Sequence, residues 1–373
     1  MRHTYRRETN LYKNIILSAS FQSVGHVDEY FIQRTRNLII IYTMPRMQGH
    51  TNEIHIYENG TRINVIHTRN STNPFLYYVY WFMTYWYVLL KLRDRKSTWT
   101  VFAGHPIFFF FMFFQRIFLG IRFAYWIGDY FPTNDWKILL YEKLKKYYHD
   151  RIATTYYLSD RINKCMNNGQ LSHSVKRRTV AWGMKRQHIK KKTIYKQTLA
   201  FVGVMKPSQN IELILKYIHE HPRYKLKLIG VCENTYVKTI QSIIKRDKLE
   251  HRVWFPNSFV PEDQLGKELE DCCIGLALYK SDKSQFTWYT DPGKIKTYLE
   301  FGLPVIMSDT SAIKGQIIQL HCGEIVKNNN LDFGVKSILR QYSFYQNGVK
   351  AIVRKYEFYK HYDTNFVSLE SID

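Results

Sequence analysis

A chain of 373 residues is longer than one ordinary core and suits two domains, and with 45% hydrophobic residues it can fill both, which excludes wholesale disorder. Five cysteines without CxxC or Cys/His spacing exclude a zinc framework or a paired secreted scaffold and point to a reducing compartment. The 54 Lys and Arg against 31 Asp and Glu leave a formal charge of +23, so anionic partners are expected: nucleic acid, anionic lipid or phosphorylated substrates.

The first residues are basic and polar and do not read as a secretory leader. Asn14 to Ser20 reads as a short strand, and a helical segment follows from His26 to Arg36. Leu38 to Tyr42 is a second, buried strand, and Ile63 to His67 a third. The aromatic stretch Phe75 to Leu90 is nearly all apolar but falls short of the ~20 residues a membrane span needs. It reads as a helix, either lying on a surface or buried in a core, as does Ile107 to Phe114, which Gln115, Arg116 and Arg122 follow. Trp99 to Phe102 runs into a turn at Gly104, His105 and Pro106, and Ala124 to Ile127 ends at Gly128 and Asp129. Strands separated by helix-length segments predict a parallel sheet with right-handed crossovers.

A basic run between Lys176 and Lys196 marks a linker, after which the pattern restarts. Strands are predicted at Thr198–Val204, Lys225–Ile229, Val253–Phe255, Ile274–Tyr279, Pro304–Met307 and Glu324–Val326. Helices are predicted at Asn210–His219, Tyr236–Asp247, Gln264–Cys272 and Lys294–Phe301. The fold class is α/β, with two doubly wound domains in tandem and any ligand at strand carboxyl ends in a cleft. The expected divisions are residues 1–180 for the first domain, 181–197 for the linker, 198–330 for the second domain, and 331–373 for helices returning to the first.

Taken in order, the second half resembles the C-terminal domain of GT-B glycosyltransferases of the large retaining family 4. The landmarks are Val180–Met184, Phe201–Gly203, Leu228–Gly230, Phe255–Pro261, Cys273–Tyr279, Asp291–Lys294, Tyr298–Ile306 and Gly323–Val326. The resemblance implies a GT-B fold of two Rossmann-like domains and a nucleoside diphosphate sugar as substrate, with no cofactor and no metal. Helix N-termini and glycine turns supply backbone donors for the two phosphates. Gly203 opens such a turn, Pro292 and Gly293 precede a helix, and Lys206 and Lys294 are the cations that would take up charge on the leaving group. Ser258 and Phe259 would line the base.

The family's usual pair of glutamates is missing: Thr297 and Tyr289 stand at those positions. Thr297 remains a candidate donor contact, Glu300 reads either as a solvated residue or as a ligand, and Asp291 is the acidic group nearest the lost first glutamate. A subset with DPGK before the helix fits better than the mainstream. Asp129 is the candidate catalytic carboxylate of the first domain, its alternative being a turn or N-cap residue. Gly25, His26 and His105 are acceptor-side candidates.

The leading reading is glycosyl transfer, retaining and metal-independent, to a lipid-linked or cell-surface polysaccharide acceptor. The protein would sit in the cytoplasm, peripheral to the inner membrane face, which Arg116, Arg122 and the Lys143–Lys146 stretch would help to hold. Two alternatives come from the charge and the lost glutamates: a nucleic-acid-binding protein, and a non-catalytic GT-B binding module.

Overall fold

The computed structural model describes residues 10–20, 26–43, 51–106, 108–109, 120–186, 197–280, 283, 285–327 and 330–369. The chain divides into two compact units, residues 1–180 with 362–373, and residues 181–361.

The first unit opens with β1 (Tyr12–Ser20), α1 (Val27–Arg34) and β2 (Thr35–Thr43), whose strands pair parallel. The run Leu38–Tyr42 is buried throughout, as a strand covered on both faces must be. β3 (Asn52–Glu58) and β4 (Thr61–Thr68) then add antiparallel, against the expectation of a wholly parallel sheet. The reason is local: Asn59 and Gly60 both take positive φ, 48° and 78°, the requirement of a tight hairpin turn.

α2 (Pro74–Tyr87) begins at Asn73, whose side chain accepts from the N–H groups of Phe75 and Leu76, and continues into a π-helical turn over Val88–Leu92. Its aromatic sequence is thus a helix that buries Trp81 and Tyr85 and leaves Phe75, Leu76, Tyr78 and Met83 exposed. β5 (Trp99–Ala103), β6 (Ile121–Ile127), α3 (Trp136–Arg151), β7 (Thr154–Tyr157), α4 (Asp160–Met166) and β8 (Arg177–Thr179) complete the unit. The segment from Ile107 to Phe114 lies outside the described residues except for Phe108 and Phe109, both buried. The sheet order is β4-β3-β2-β1-β5-β6-β7-β8. Its core is aromatic, and Phe366 from the chain's end packs among Tyr30, Phe31, Phe102 and Tyr156, with centroids no more than 5.8 Å apart. Asp363 accepts from Arg34 at 3.0 Å beside it.

The second unit runs β9 (Thr198–Val202), α5 (Ile211–Glu220), β10 (Lys225–Ile229), α6 (Asn234–Arg246), β11 (Val253–Trp254), α7 (Glu262–Glu268) and β12 (Cys272–Ala277). It continues with α8 (Gly293–Glu300), β13 (Val305–Ser308), α9 (Lys314–Gln319), β14 (Gly323–Val326), α10 (Leu331–Arg340) and α11 (Tyr342–Lys355). The helix expected to reach Cys272 stops at Glu268, because Cys272 already pairs with Thr198. All strand pairs are parallel, in the order β11-β10-β9-β12-β13-β14. That is the doubly wound order, whose ligand crevice lies where the order reverses, here at the carboxyl ends of β9 and β12. α10 and α11 belong to this unit. α12 (Phe358–Asn365) leads out of it, and 362–373 are the part of the tail that belongs to the first unit.

Candidate functional site

The carboxyl end of β9 turns at Gly203, with φ 117° and its N–H donating to the Ile229 carbonyl at 2.9 Å. Gly230, at φ 128°, ends β10 against it; a β-carbon there would collide with the Gly203 carbonyl oxygen. The two strand ends can approach so closely because Gly230 lacks a side chain, while Gly203 takes a φ that few other residues adopt. After Gly203 the chain passes Lys206, which pairs with Glu233 at 3.1 Å and stays half-exposed, and reaches Gln209 through a 3-10 turn at Pro207–Gln209.

Into this corner α8 sends Lys294. Pro292 caps the helix and Gly293 is its first residue. The Lys294 amine donates to Gln209 Oε1 at 2.8 Å, sits 3.7 Å from the Phe201 ring centroid and 5.4 Å from that of Tyr279. A β-carbon built on Gly203 would stand 3.8 Å from this Nζ, in ordinary contact. Burial pushes this amine well below the ordinary lysine range, although the residue keeps part of its surface open. No ion pair holds it among the described residues.

The other donor-side candidates take different places. Asp291 is buried, and its Oδ1 accepts from the Ile313 N–H at 2.8 Å and the Ser311 hydroxyl at 3.1 Å; its carbonyl accepts from Trp182 Nε1 at 3.2 Å. These bonds fix the loop that delivers Lys294. Thr297 donates its hydroxyl to the Gly293 carbonyl, one helical turn back. Ser258 bridges to Gly230, and Asn257, at φ 49°, accepts from the Cys232 N–H, which sets Phe259 beyond them with 59% of its surface exposed. Glu300 is neither of the things its sequence position suggested. It is 2% exposed, pairs with Lys296 at 3.1 Å, and accepts from the Lys185 N–H, tying α8 to the strand-like segment that enters the unit.

In the first unit the strand order reverses between β1 and β5. Gly25 lies outside the described residues. His26 opens α1 at φ 52°, with Nδ1 4.0 Å from Glu29. His105 follows β5 and lies between the rings of Trp81 and Tyr141, at 5.5 and 5.1 Å, pushed down to about 4 by burial and by the Lys145 charge. Asp129 is exposed, and its carbonyl accepts from Lys145 Nζ at 2.7 Å. Lys145 was expected among surface cations; instead it is buried, paired with Glu142 at 2.6 Å and set over the Tyr141 ring at 4.8 Å. Glu142 Oε1 also accepts from the Phe131 N–H, while its Oε2 has no hydrogen-bond partner among the described residues.

Sequence reasoning did not single out Gln209, Phe201 and Tyr279 as the shell of Lys294, or Glu142 as the partner of Lys145. Glu142 and Lys145 are three apart on one helix, a spacing that puts them side by side. Gln209 and Lys294 are 85 positions apart, and no local signal links them. Among the described residues no group of three or more His, Cys, Asp or Glu could hold a metal ion.

Residues 217–355 match the family described as glucosyltransferase 3-like, C-terminal domain. No curated protein matches the chain. Among solved structures the chain is similar to HepE of Anabaena in complex with UDP, at 11% identity and TM-score 0.68, covering 96% of this chain and 100% of that one. Sucrose-phosphate synthase of Thermosynechococcus elongatus gives 12% identity and TM-score 0.68, covering 95% and 100%. A mutant of TarM of S. aureus, in complex with fondaparinux, α-GlcNAc-glycerol and UDP, gives 14% and 0.59, covering 93% and 82%. With its doubly wound second unit and these likenesses over nearly its whole length, the chain has the two-domain, Rossmann-like GT-B fold.

Proposed function

We propose that this protein is a glycosyltransferase whose donor, a nucleoside diphosphate sugar, binds at the carboxyl ends of β9 and β12. The observation that carries the reading is Lys294, an amine without a carboxylate among the described residues, held at a glycine turn and a helix start at the point where the strand order reverses. A nucleotide's diphosphate would give it an anionic partner. Gly203, Pro292, Gly293 and Lys206 complete the phosphate side, Thr297 lies one turn along α8, and Ser258 with exposed Phe259 offers a flat surface to the base. Two similar structures were solved with UDP or UDP-glucose, which favours uridine. Asp291 acts by holding the loop rather than by touching sugar.

In the transfer, an acceptor hydroxyl oxygen bonds to the anomeric carbon as the bond from that carbon to the diphosphate breaks. The hydroxyl proton passes to the departing phosphate oxygen, and Lys294 with the α8 N-terminus takes up the charge left there. This route retains configuration without an enzymic nucleophile and assigns no step to a metal. The acceptor is a carbohydrate on the first unit's side, where His26, His105 and exposed Asp129 are the contact candidates. The DPGK-bearing subset of family 4 is the group to which this reading assigns the protein.

The membrane part of the reading rests on two helices joined through His105. Phe75 of α2 and Trp136 of α3 are 75% and 69% exposed, with Leu76, Met83, Leu139 and Leu140 exposed around them. Lys137 stands 5.6 Å over the Trp136 ring and Lys143 is exposed, so an apolar face carries cations at its margin, which suits an anionic lipid surface at the inner membrane face. A lipid-linked or polysaccharide acceptor would be met there. Among the described residues no helix is long and apolar enough to cross a membrane.

A thermal-shift and calorimetric panel of UDP, GDP, ADP, CMP and dTDP with their common sugars tests the donor site. One base should stabilise the protein and Lys294→Ala should abolish that shift; no response to any nucleotide sinks the proposal. Sedimentation with phosphatidylglycerol vesicles tests the membrane part. Binding at low salt that Trp136→Ala with Leu140→Ala removes is expected, and failure to sediment refutes it.

A further inference from the structure

We propose that donor binding is coupled to proton uptake at Lys294: the empty site holds this side chain as a neutral amine, and the arriving phosphates convert it to ammonium. The inference rests on the donor site proposed above and adds a titration to it.

Three features of the geometry oppose a charge in the empty site. Among the described residues Lys294 Nζ has one acceptor, the uncharged Gln209 Oε1 at 2.8 Å. It is the second residue of α8, where unpaired backbone N–H groups make the positive end of the helix. And it lies against the rings of Phe201 and Tyr279, 3.7 and 5.4 Å from their centroids, which take the place of part of its hydration. The Phe201 face attracts a cation, and that opposes the other terms, yet one ring does not replace the hydration of an ammonium.

The groups facing it make the contrast. From β9 come Phe201 and Gly203, from the 3-10 turn Gln209, and from the end of β12 Tyr279, none of them anionic near neutral pH. On α8 itself Lys296 is matched by Glu300 at 3.1 Å, and Asp291 before the helix directs its Oδ1 to Ser311 and Ile313. Lys206, beyond Gly203, is already paired with Glu233. The lysines that are buried among the described residues are given carboxylates, Lys145 at 2.6 Å and Lys296 at 3.1 Å. Among the described residues Lys294 is not, and burial lowers its affinity for a proton accordingly.

A phosphate placed against Gly203 brings negative charge within reach of Nζ and raises that affinity. The bound state then holds more protons than the free state, so binding weakens as pH rises between the empty-site and bound-site values, by up to about ten-fold per pH unit. A nucleoside diphosphate sugar is the proper probe, since its phosphates carry no terminal ionisation in that range, unlike a free diphosphate with a pKa near ~6.

Calorimetry at pH 8 in HEPES and in Tris, buffers of different ionisation enthalpy, counts the protons. With UDP-glucose, or whichever nucleotide sugar the panel selects, the wild-type protein should take up protons on binding. Lys294→Arg keeps the cation but stays charged when empty, and should take up none. If that variant does not fold or bind, the wild-type affinity between pH 7 and pH 9 decides, and a fall with rising pH is required. Binding without proton uptake and with a flat pH profile overturns the coupling and leaves the donor site standing. Uptake that persists in Lys294→Arg assigns the proton elsewhere and also overturns it, while absence of any nucleotide binding overturns both readings.

Discussion

At the carboxyl end of β6, Lys145 meets Glu142 at 2.6 Å, and the nearby His105 is kept neutral. At the carboxyl end of β9, Lys294 meets an amide oxygen and two rings. Lys145 is buried one strand beyond the β1/β5 reversal of the first sheet, whereas Lys294 stands at the β9/β12 reversal of the second and keeps part of its surface open. The first unit arrives with its charge already balanced, which suits a neutral, hydroxyl-rich ligand that stacks on aromatic rings. The second arrives short of an anion, which suits a phosphate. Charge balance thus distinguishes two strand-end lysines that the layer architecture alone would not.

The sharpest way to break the contrast is to unbalance a pair that is balanced. Glu300→Ala would leave Lys296 buried alone, and the second unit should lose about 3–5 kcal/mol in urea denaturation. Lys294→Met does the converse. Stability should hold or rise, because a poorly solvated amine is removed, while transfer falls by about 10²–10³-fold, roughly 2.7–4 kcal/mol; equal losses of stability and turnover would refute the assignment.

A third test uses acid. Burial holds His105 and His149 of the first unit at about 4, against about 6.5 in the unfolded chain. The unfolded state therefore binds more protons as pH falls from 6.5 toward 4, and each histidine should remove up to about 1.4 kcal/mol of stability per pH unit in that window. Hydrogen exchange in β5 to β7 at pH 7 and pH 5 measures this, and His149→Gln should halve the slope. The smallest effect is expected at Lys206→Ala. Its pair with Glu233 is half-exposed, so stability should change by less than about 1 kcal/mol, with a modest weakening of nucleotide binding in calorimetry.

Much of the second unit was legible because its strands are short apolar runs bounded by glycine and proline, and Lys225–Ile229 was placed to the residue. The first unit yielded less. β3, with sequence NEIHIYE, alternates polar and apolar residues in only half-buried surroundings, and the Asn59–Gly60 turn that announces its hairpin went unused. Charged side chains were the harder case. Lys145 reads as a surface residue and Glu300 as either a solvated residue or a ligand, because long polar side chains are usually exposed, and only the i,i+3 and i,i+4 spacing to Glu142 and Lys296 hints at burial. The shell around Lys294 is assembled from β9, a turn, β12 and α8, so it exists only after folding.

One contact of the second unit also constrains how such a sequence can drift. The Tyr298 hydroxyl accepts from the Val202 N–H at 2.7 Å and donates to the Leu276 carbonyl at 3.0 Å, joining β9 to β12 where they begin to part. Its ring occupies the space that a β-carbon on Gly275 would need. Any side chain at 275 thus requires the ring to leave first, and its departure strands a backbone donor and acceptor in the core. The two positions can change only together, so a lineage that holds Tyr298 is confined to glycine at 275, and the route to any other pair runs through an intermediate that has neither the bridge nor the fit.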